Sequence, residues 1–549
     1  MTAKARSLLT LRTGRGMKDM QTGALDFRNR SAVLDGLDGA KFDLLVIGGG
    51  VTGAGIARDA ALRGLSVVLI EGRDFAAGTS SRSSKMIHGG LRYMAQGDLG
   101  LVQEAASERK AVEAIAPHLT RMTPFVIPAK NAAAIAKLRT GIWAFEKLGG
   151  VPKARQHEVW SRMDVESKEP AINAADITGA VVYPEYLTED AKLTLANVRA
   201  AFAAGATVIS YAPVSEILVE NGKAVGVVLD DALGEKTRAR VRAKVIVNAA
   251  GPWVDHLRGL EDTSAMPRLM LSKGVHLVVD QARLPVSRTI IMGARDKRSV
   301  FAVPKGRFTY IGTTDTFYPQ DHVWPQIERD DIDYLVEATN RRFAIAPLGD
   351  TDIVAAWSGV RPLVGQEGKS ASEISRKDEV WTGRGGILAV AGGKLTAYRR
   401  MAERVVDIVE DRLGRRPTAS RTATIPLPGG DLNVDAVTRD LARTMPELEA
   451  ERLLALYGSE APLAAGGPAA EARHAVTMEG ALQLEDVWVR RSNRAWFDDR
   501  GGEAALSYMA QEMAILLNWS PGQMQAQIKA CLDIRADSLS ALNTNLASR

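Results

Sequence analysis

The stretch from Phe42 to Glu71 constrains this chain more than any other. It reads F-D-L-L-V-I-G-G-G-V-T-G-A-G-I-A-R-D-A-A-L-R-G-L-S-V-V-L-I-E. The apolar run Leu44 to Ile47 has the character of a buried strand, and the small-residue pattern from Ala54 to Arg63 that of a helix. Gly64 stops that helix, and Ser66 to Ile70 make a second strand that ends at an acid, Glu71. A G-x-G-x-x-G turn alone is weak evidence. With strand, helix, second strand and an acid 23 positions after Gly48 all in register, it predicts a βαβ dinucleotide-binding unit. Gly48 permits the tight turn, Gly50 allows backbone to approach a pyrophosphate, and Gly53 lets the helix sit close to the strand. The helix N-terminus then faces the phosphate charge, and Glu71 is placed to accept from a ribose diol. The motif does not choose between NAD and FAD.

At 549 residues the chain is too long for one ordinary core, so two or three domains are expected. A net charge of +5 is small for this length and does not argue for nucleic acid. The single cysteine, Cys531, excludes an intramolecular disulfide framework and a cysteine-based zinc or iron–sulfur site, and points to a reducing cytoplasm. No run of 18 or more apolar residues suggests a membrane span.

Residues 1–40 carry no core pattern and are expected to be a flexible N-terminal extension. The first 18 hold Lys4, Arg6, Arg12, Arg15 and Lys18 with no acid, as a transit-like or membrane-surface segment would. Residues 133–149 place Ile135, Leu138, Ile142 and Phe145 on one helical face, with Trp143 beside them and Lys130, Lys137, Arg139 and Lys147 flanking. Packing on the domain's own core is the first expectation for that face, and resting on anionic lipid the second. Asn221-Gly222 between two apolar runs predicts a hairpin. Val241 to Val247 predicts a buried strand that ends in Asn248-Ala249-Ala250-Gly251-Pro252-Trp253, small enough for close approach to a nucleotide. From Leu271 to Asp315 the pattern is strand-rich and predicts an antiparallel sheet in a second domain. Ser358 to Leu363 is expected to return the chain to the first domain. A last buried strand, Gly386 to Ala391, runs into Gly392-Gly393-Lys394-Leu395-Thr396 and a helix. Beyond a linker at Leu427-Pro428-Gly429-Gly430, helical patterns predict a separate all-α domain.

Several motifs together resemble one family. They are Ile47-Gly48-Gly49-Gly50-Val51-Thr52-Gly53-Ala54-Gly55, and Thr79-Ser80-Ser81-Arg82-Ser83-Ser84-Lys85-Met86-Ile87-His88-Gly89-Gly90-Leu91-Arg92-Tyr93. Asn248 to Trp253, Lys273-Gly274-Val275-His276, Ile311-Gly312-Thr313-Thr314-Asp315, Ser358 to Leu363 and Gly392 to Arg399 complete the set, with a weaker match at Glu485 to Arg491. The pattern resembles FAD-dependent, respiratory glycerol-3-phosphate dehydrogenases. Two departures stand out. Ala250 replaces a threonine near the adenosine, and Glu189-Asp190-Ala191-Lys192-Leu193 has lysine where the family has arginine.

The resemblance implies an α/β fold: a Rossmann-like FAD-binding domain, an antiparallel-sheet substrate (cap) domain of the D-amino-acid-oxidase-like type, and a C-terminal all-α domain. The expected boundaries are 41–120, 188–260 and 355–415 for the FAD-binding domain, 121–187 and 261–354 for the cap, and 426–549 for the helices. The implied reaction is oxidation of sn-glycerol 3-phosphate to dihydroxyacetone phosphate by hydride transfer to FAD, with electrons passed to a quinone. A glycerophosphate oxidase, giving electrons to oxygen, is the alternative on the same scaffold.

Such chemistry calls for cations around a dianionic phosphate, a base for the C2 hydroxyl, and donors that favour reduced flavin. Arg92, Tyr93, Arg361 and Lys394 are expected on substrate oxygens, with Arg376 between two of them. His276 is expected to be the base, with Arg361 as a stabiliser of the alkoxide. For the cofactor, Gly48, Gly50, Thr52, Gly53 and Glu71 are joined by Thr79, Ser80, Ser81 and Ser84 at the pyrophosphate. His88, Gly90, Leu91, Ala250 and Gly251 follow, and Gly393, Lys394, Leu395 and Thr396 are expected at the isoalloxazine edge. The family also implies peripheral contact with the cytoplasmic face of the inner membrane, is compatible with a soluble cytoplasmic form, and allows a homodimer.

Overall fold

In the computed structural model the described residues are 23–88, 99–234, 238–320, 323–365, 378–431 and 433–542. Two sheets organise them. The first has eight strands, and its centre is parallel: Leu388–Ala391, Arg238–Asn248, Lys41–Ile47, Val67–Ile70 and Thr207–Ile209 lie side by side in that order. Leu44 to Ile47 and Val67 to Ile70, in its central strands, are continuous apolar runs because both faces of the sheet are covered. Val51–Leu62, Asp190–Ala203 and Tyr398–Arg412 bury their small and branched side chains against one of them. The hairpin strands Val214–Glu220 and Lys223–Asp230 branch off antiparallel along the first half of the central strand Arg238–Asn248, turning at Asn221 and Gly222, both at positive φ.

The second sheet has ten strands and is mostly antiparallel. Leu269–Asp280 is flanked by Phe308–Gly312 and by Ile353–Val364. This corrects one expectation. Ser358 to Leu363 does not return the chain to the first sheet, because Ile353–Val364 pairs along its length with Leu269–Asp280, and only Leu388–Ala391 and Glu379–Thr382 go back. The segment after the serine run also crosses over, since Met86–Ile87 pairs with Tyr186–Leu187 of the second sheet.

One further expectation changes. Residues 23–40 are not a loose extension: Arg30–Leu37 is a helix whose Val33, Leu34 and Leu37 are buried with Phe42 and Leu45, while Leu25 and Phe27 enter the main core. Too few apolar residues lie there for a periodic signal, and their partners are distant in sequence. The C-terminal helices, the expected all-α domain, pack closely on the rest of the chain. Trp488, Trp496 and Cys531 share one core with Trp357 of the second sheet. Asp74, fully buried just beyond the second Rossmann strand, is held by both Arg490 and Arg491. Lys192, the departure from the family's arginine, belongs to the same junction: it pairs with Glu479 and lies 4.0 Å from the centre of the Tyr457 ring. Of the helix Ala132–Leu148, Ile142 and Phe145 are buried and Ile135 and Leu138 pack beside them, while Trp143 is half exposed. No helix among the described residues is long and apolar enough to cross a membrane.

Candidate active site

One cavity of about 940 Å³ runs from the glycine turn of the first sheet to the face of the second, at the upper end of the range for small-molecule sites. At its nucleotide end Gly48 has φ +108°, and a Cβ there would lie 2.5 Å from the Ala249 carbonyl, so only glycine fits. Gly50, Val51, Thr52, Ala250 and Gly251 line this end. Gly53 does not; it faces the Gly48 carbonyl, which is the close helix–strand packing its position requires. Glu71 lines the cavity, and both its oxygens accept from backbone: Oε2 from the Gly49 N–H at 2.6 Å and Oε1 from the Arg73 N–H at 2.8 Å. It therefore holds the glycine turn in shape as well as facing the cavity. Burial pushes its carboxyl above the usual range, against those two hydrogen bonds.

The serine run divides its labour. Ser80 Oγ accepts from the Val51 N–H at 2.9 Å, at the start of the helix Val51–Leu62, where an anion is favoured. Thr79 Oγ1 donates to the Val360 carbonyl at 2.6 Å, tying the loop to the second sheet. Ser81 is buried and absent from the cavity wall, with its hydroxyl turned to the Gly78 carbonyl. Ser84, expected beside Ser80, stands instead against His276. At the opposite wall Gly393, Lys394, Leu395, Thr396 and His88 line the cavity, and Thr396 Oγ1 donates to the His88 carbonyl at 3.3 Å. Arg92, Tyr93, Gly90, Leu91 and Arg376 lie outside the described residues.

His276 and Arg361 reach the cavity from neighbouring antiparallel strands. The register pairs Ser272 with Arg361, Gly274 with Gly359, and His276 with Trp357, so alternate positions share one face. Arg361 Nη2 donates to Thr313 Oγ1 at 3.0 Å and Nη1 to the Thr314 carbonyl at 3.2 Å, with Asp315 at 3.4 Å. The imidazole of His276 stacks on Trp357 at 4.7 Å and 10°. Burial, then the Arg361 and Lys85 charges, hold it well below the usual histidine range, so it rests neutral.

Two glycines make this geometry and carried no role in the sequence reading. A Cβ on Gly274 would lie 2.6 Å from Thr313 Oγ1 and 2.8 Å from Arg361 Cζ. A Cβ on Gly312, the partner of His276 across the strand pair, would collide with the imidazole ring. Asp190 was also missed. It lines the cavity and pairs with the buried Lys85 at 2.6 Å, a contact between residues 105 positions apart that no local pattern reveals. Among the described residues no group of acids, histidines and cysteines could hold a metal ion.

A glycine turn shaped for a pyrophosphate, an acid at the second strand and a second glycine pair across the same cavity define a dinucleotide site, and the family match makes it that of a FAD-dependent oxidoreductase. Residues 43–399 match the family model described as FAD dependent oxidoreductase, and residues 467–524 that described as the C-terminal domain of alpha-glycerophosphate oxidase. The aerobic glycerol-3-phosphate dehydrogenase of Bacillus subtilis (strain 168) is 38% identical over 500 residues, covering 85% of this chain and 90% of the relative. The glycerol-3-phosphate dehydrogenase from Bacillus halodurans complexed with FAD superposes with a TM-score of 0.79 at 31% identity, covering 95% of this chain and 99% of that one. The L-alpha-glycerophosphate oxidase of Mycoplasma pneumoniae shares the fold, with a TM-score of 0.54 at 17% identity over 71% of this chain and 99% of its own. The chain belongs to the family of the aerobic glycerol-3-phosphate dehydrogenases.

Proposed function

We propose that this protein oxidises sn-glycerol 3-phosphate to dihydroxyacetone phosphate, with FAD as hydride acceptor and a quinone as the final electron acceptor. The observation that carries the reading is that Arg361 and His276, from neighbouring strands, share one sheet face lining the cavity. A fixed guanidinium beside a neutral imidazole suits an anionic alcohol whose hydroxyl must lose a proton. FAD supplies two-electron acceptance when bound. Gly48, Gly50, Thr52 and Ser80 hold its phosphates, Glu71 its ribose, and Gly393 to Thr396 its ring edge. Arg361, Lys394, Arg92 and Tyr93 take the substrate oxygens, with Arg376 in support.

Anaerobic mixing of the holoenzyme with glycerol 3-phosphate tests this directly: the flavin absorbance bleaches, and an unchanged spectrum refutes the reading. Quinone reduction without matching oxygen uptake assigns the dehydrogenase; peroxide formed at the rate of substrate loss assigns the oxidase. We further propose peripheral association with the cytoplasmic face of the inner membrane, supported by the half-exposed Trp143 beside the exposed Lys147. Co-sedimentation with anionic vesicles, reduced by Trp143→Ala, tests it. A homodimer is the proposed assembly, to be read from the sedimentation coefficient.

A further inference from the structure

His276 lines the cavity beside another polar residue, Ser84. Its side chain is almost wholly buried, its Nδ1 is enclosed without a partner, and its Nε2 lies 2.9 Å from Ser84 Oγ. Ser84 is partly exposed and lines the cavity. A small molecule in the cavity therefore has within reach a serine hydroxyl that is bonded to the more deeply buried imidazole.

Ser84 is also prevented from swinging aside. On one flank the Ser83 N–H and hydroxyl both donate to Asp190 Oδ2, at 3.1 and 2.8 Å. On the other, Lys85 donates to Asp190 Oδ1 at 2.6 Å, and its backbone has φ +54°, in the left-handed region that few non-glycine residues occupy. The carbonyl of Ser84 accepts from the Tyr310 hydroxyl at 3.1 Å. Asp190 itself sits at the start of the helix Asp190–Ala203, with Oδ1 accepting from the Ala191 N–H at 2.9 Å. A left-handed residue held by a buried ion pair costs free energy that surrounding contacts must offset, and such sites cluster where geometry serves function.

We propose that Ser84 is a catalytic residue, the hydroxyl through which the C2 proton of the substrate reaches His276, and that Asp190 and Lys85 are its positioning pair. The proposal rests on the functional reading above. In the step, the substrate O–H bond breaks and its proton passes to Ser84 Oγ while the Ser84 proton passes to His276 Nε2. The C2–H bond breaks with its electron pair accepted by FAD, and the C2=O bond forms. The substrate loses a hydride, two electrons with one proton, to FAD and a second proton that ends on the imidazole. The charges facing His276 are Arg361 from the adjacent strand and Lys85 from the serine segment, whose carboxylate partner is Asp190. A substrate phosphate at Arg361 cancels one of the two cations that oppose an imidazolium, so the acceptor gains basicity when substrate is bound.

The test compares Ser84→Ala and Ser84→Thr with the parent holoenzyme by anaerobic stopped-flow. Ser84→Ala is expected to slow flavin reduction about 10²-fold, while FAD affinity by fluorescence and the half-saturating substrate concentration each stay within about threefold. Ser84→Thr, which keeps the hydroxyl, is expected to recover most of the rate. Flavin reduction by Ser84→Ala within about fivefold of the parent overturns the proposal, as does a rate loss matched by loss of FAD. A second measurement is independent of turnover: ¹⁵N-histidine NMR of the substrate-free holoenzyme is expected to show an unprotonated Nε2 whose shift moves in Ser84→Thr. A protonated Nε2, donating to the serine, overturns the relay. If the parent itself is not bleached by glycerol 3-phosphate, the functional reading fails, and the NMR result still decides the Ser84–His276 pairing.

Discussion

Gly274→Ala isolates the contribution of backbone space to the site. Gly274 lies mid-strand with ordinary extended geometry, so alanine adds no backbone strain, and its methyl alone carries the effect. That methyl would meet Thr313 Oγ1 at 2.6 Å and Arg361 Cζ at 2.8 Å, with the Nη2 group closer still. Carbon contacts settle near about 3.5 Å, so the guanidinium must retreat by roughly 1 Å. In doing so it gives up the 3.0 Å bond from Nη2 to Thr313. A displacement of about 1 Å in a positioned catalytic group can cost on the order of 10² in rate, or about 2.7 kcal/mol of transition-state stabilisation at 1.36 kcal/mol per decade. The expected result is a kcat/KM for glycerol 3-phosphate lowered about 10²-fold, with KM raised and bound FAD unchanged. The overpacking cost to stability is about 1–3 kcal/mol. The assay is anaerobic flavin reduction across substrate concentrations, with FAD content from the protein-to-flavin absorbance ratio. A variant within threefold of the parent in kcat/KM refutes the claim that Gly274 sets the position of Arg361.

Four other outcomes follow from the structure. Asp74→Asn leaves Arg490 and Arg491 buried beside an amide, which should cost about 3–5 kcal/mol in denaturant unfolding and weaken FAD retention; a loss under 1 kcal/mol would contradict the buried-pair reading. Burial, with Lys192 and Arg199 nearby, depresses His118 to about 3 from 6.5, against smaller opposing effects of Glu460 and Glu479. The unfolded chain then binds that proton first as pH falls below 6.5, so stability is lost from there down to about 3, in all about 5 kcal/mol; His118→Gln should flatten that limb of the pH–stability curve. His276→Ala should slow flavin reduction by at least about tenfold and nearer 10²-fold, and Arg361→Ala should raise KM and lower flavin reduction together; unchanged kinetics in either would remove that residue from the site.

What was legible in the sequence follows the range of the forces involved. The turn at Gly48 to Gly53 depends on residues within 23 positions of one another, so its strand, helix and acid could be read in register. Parallel strands buried on both faces announce themselves as apolar runs, which is why Lys41–Ile47, Val67–Ile70 and Arg238–Asn248 were found. Antiparallel strands near the site were harder to place. Ile353–Val364 holds Gly359 and Pro362 within its length and offered no alternation that would tie it to Leu269–Asp280. Charge pairs were harder again. Lys85 reads as one basic residue among serines, and Asp190 as one acid at a helix start, until the fold brings them to 2.6 Å.

The same contrast explains why the serine segment was only half understood. Its composition suggests one job, since hydroxyls and backbone N–H groups beside a helix N-terminus belong with a phosphate. Ser80, bonded to the first turn of the helix Val51–Leu62, fits that job. But the segment also leaves the first sheet for the second, joining Tyr186 and Leu187 at Met86 and Ile87. A loop that must cross between sheets faces the glycine turn at its start and His276 of the second sheet at its end, and its side chains divide accordingly. Thr79 bonds the second sheet's backbone, Ser81 turns inward, and Ser83 and Lys85 are fixed on Asp190. Ser84, between two anchored neighbours, is left facing His276. The crossing gives the hydroxyl its direction. Asp190→Asn, which weakens both anchors at once without touching the cavity glycines, should therefore slow flavin reduction more than it weakens FAD binding. The opposite ranking would assign the whole segment to the cofactor.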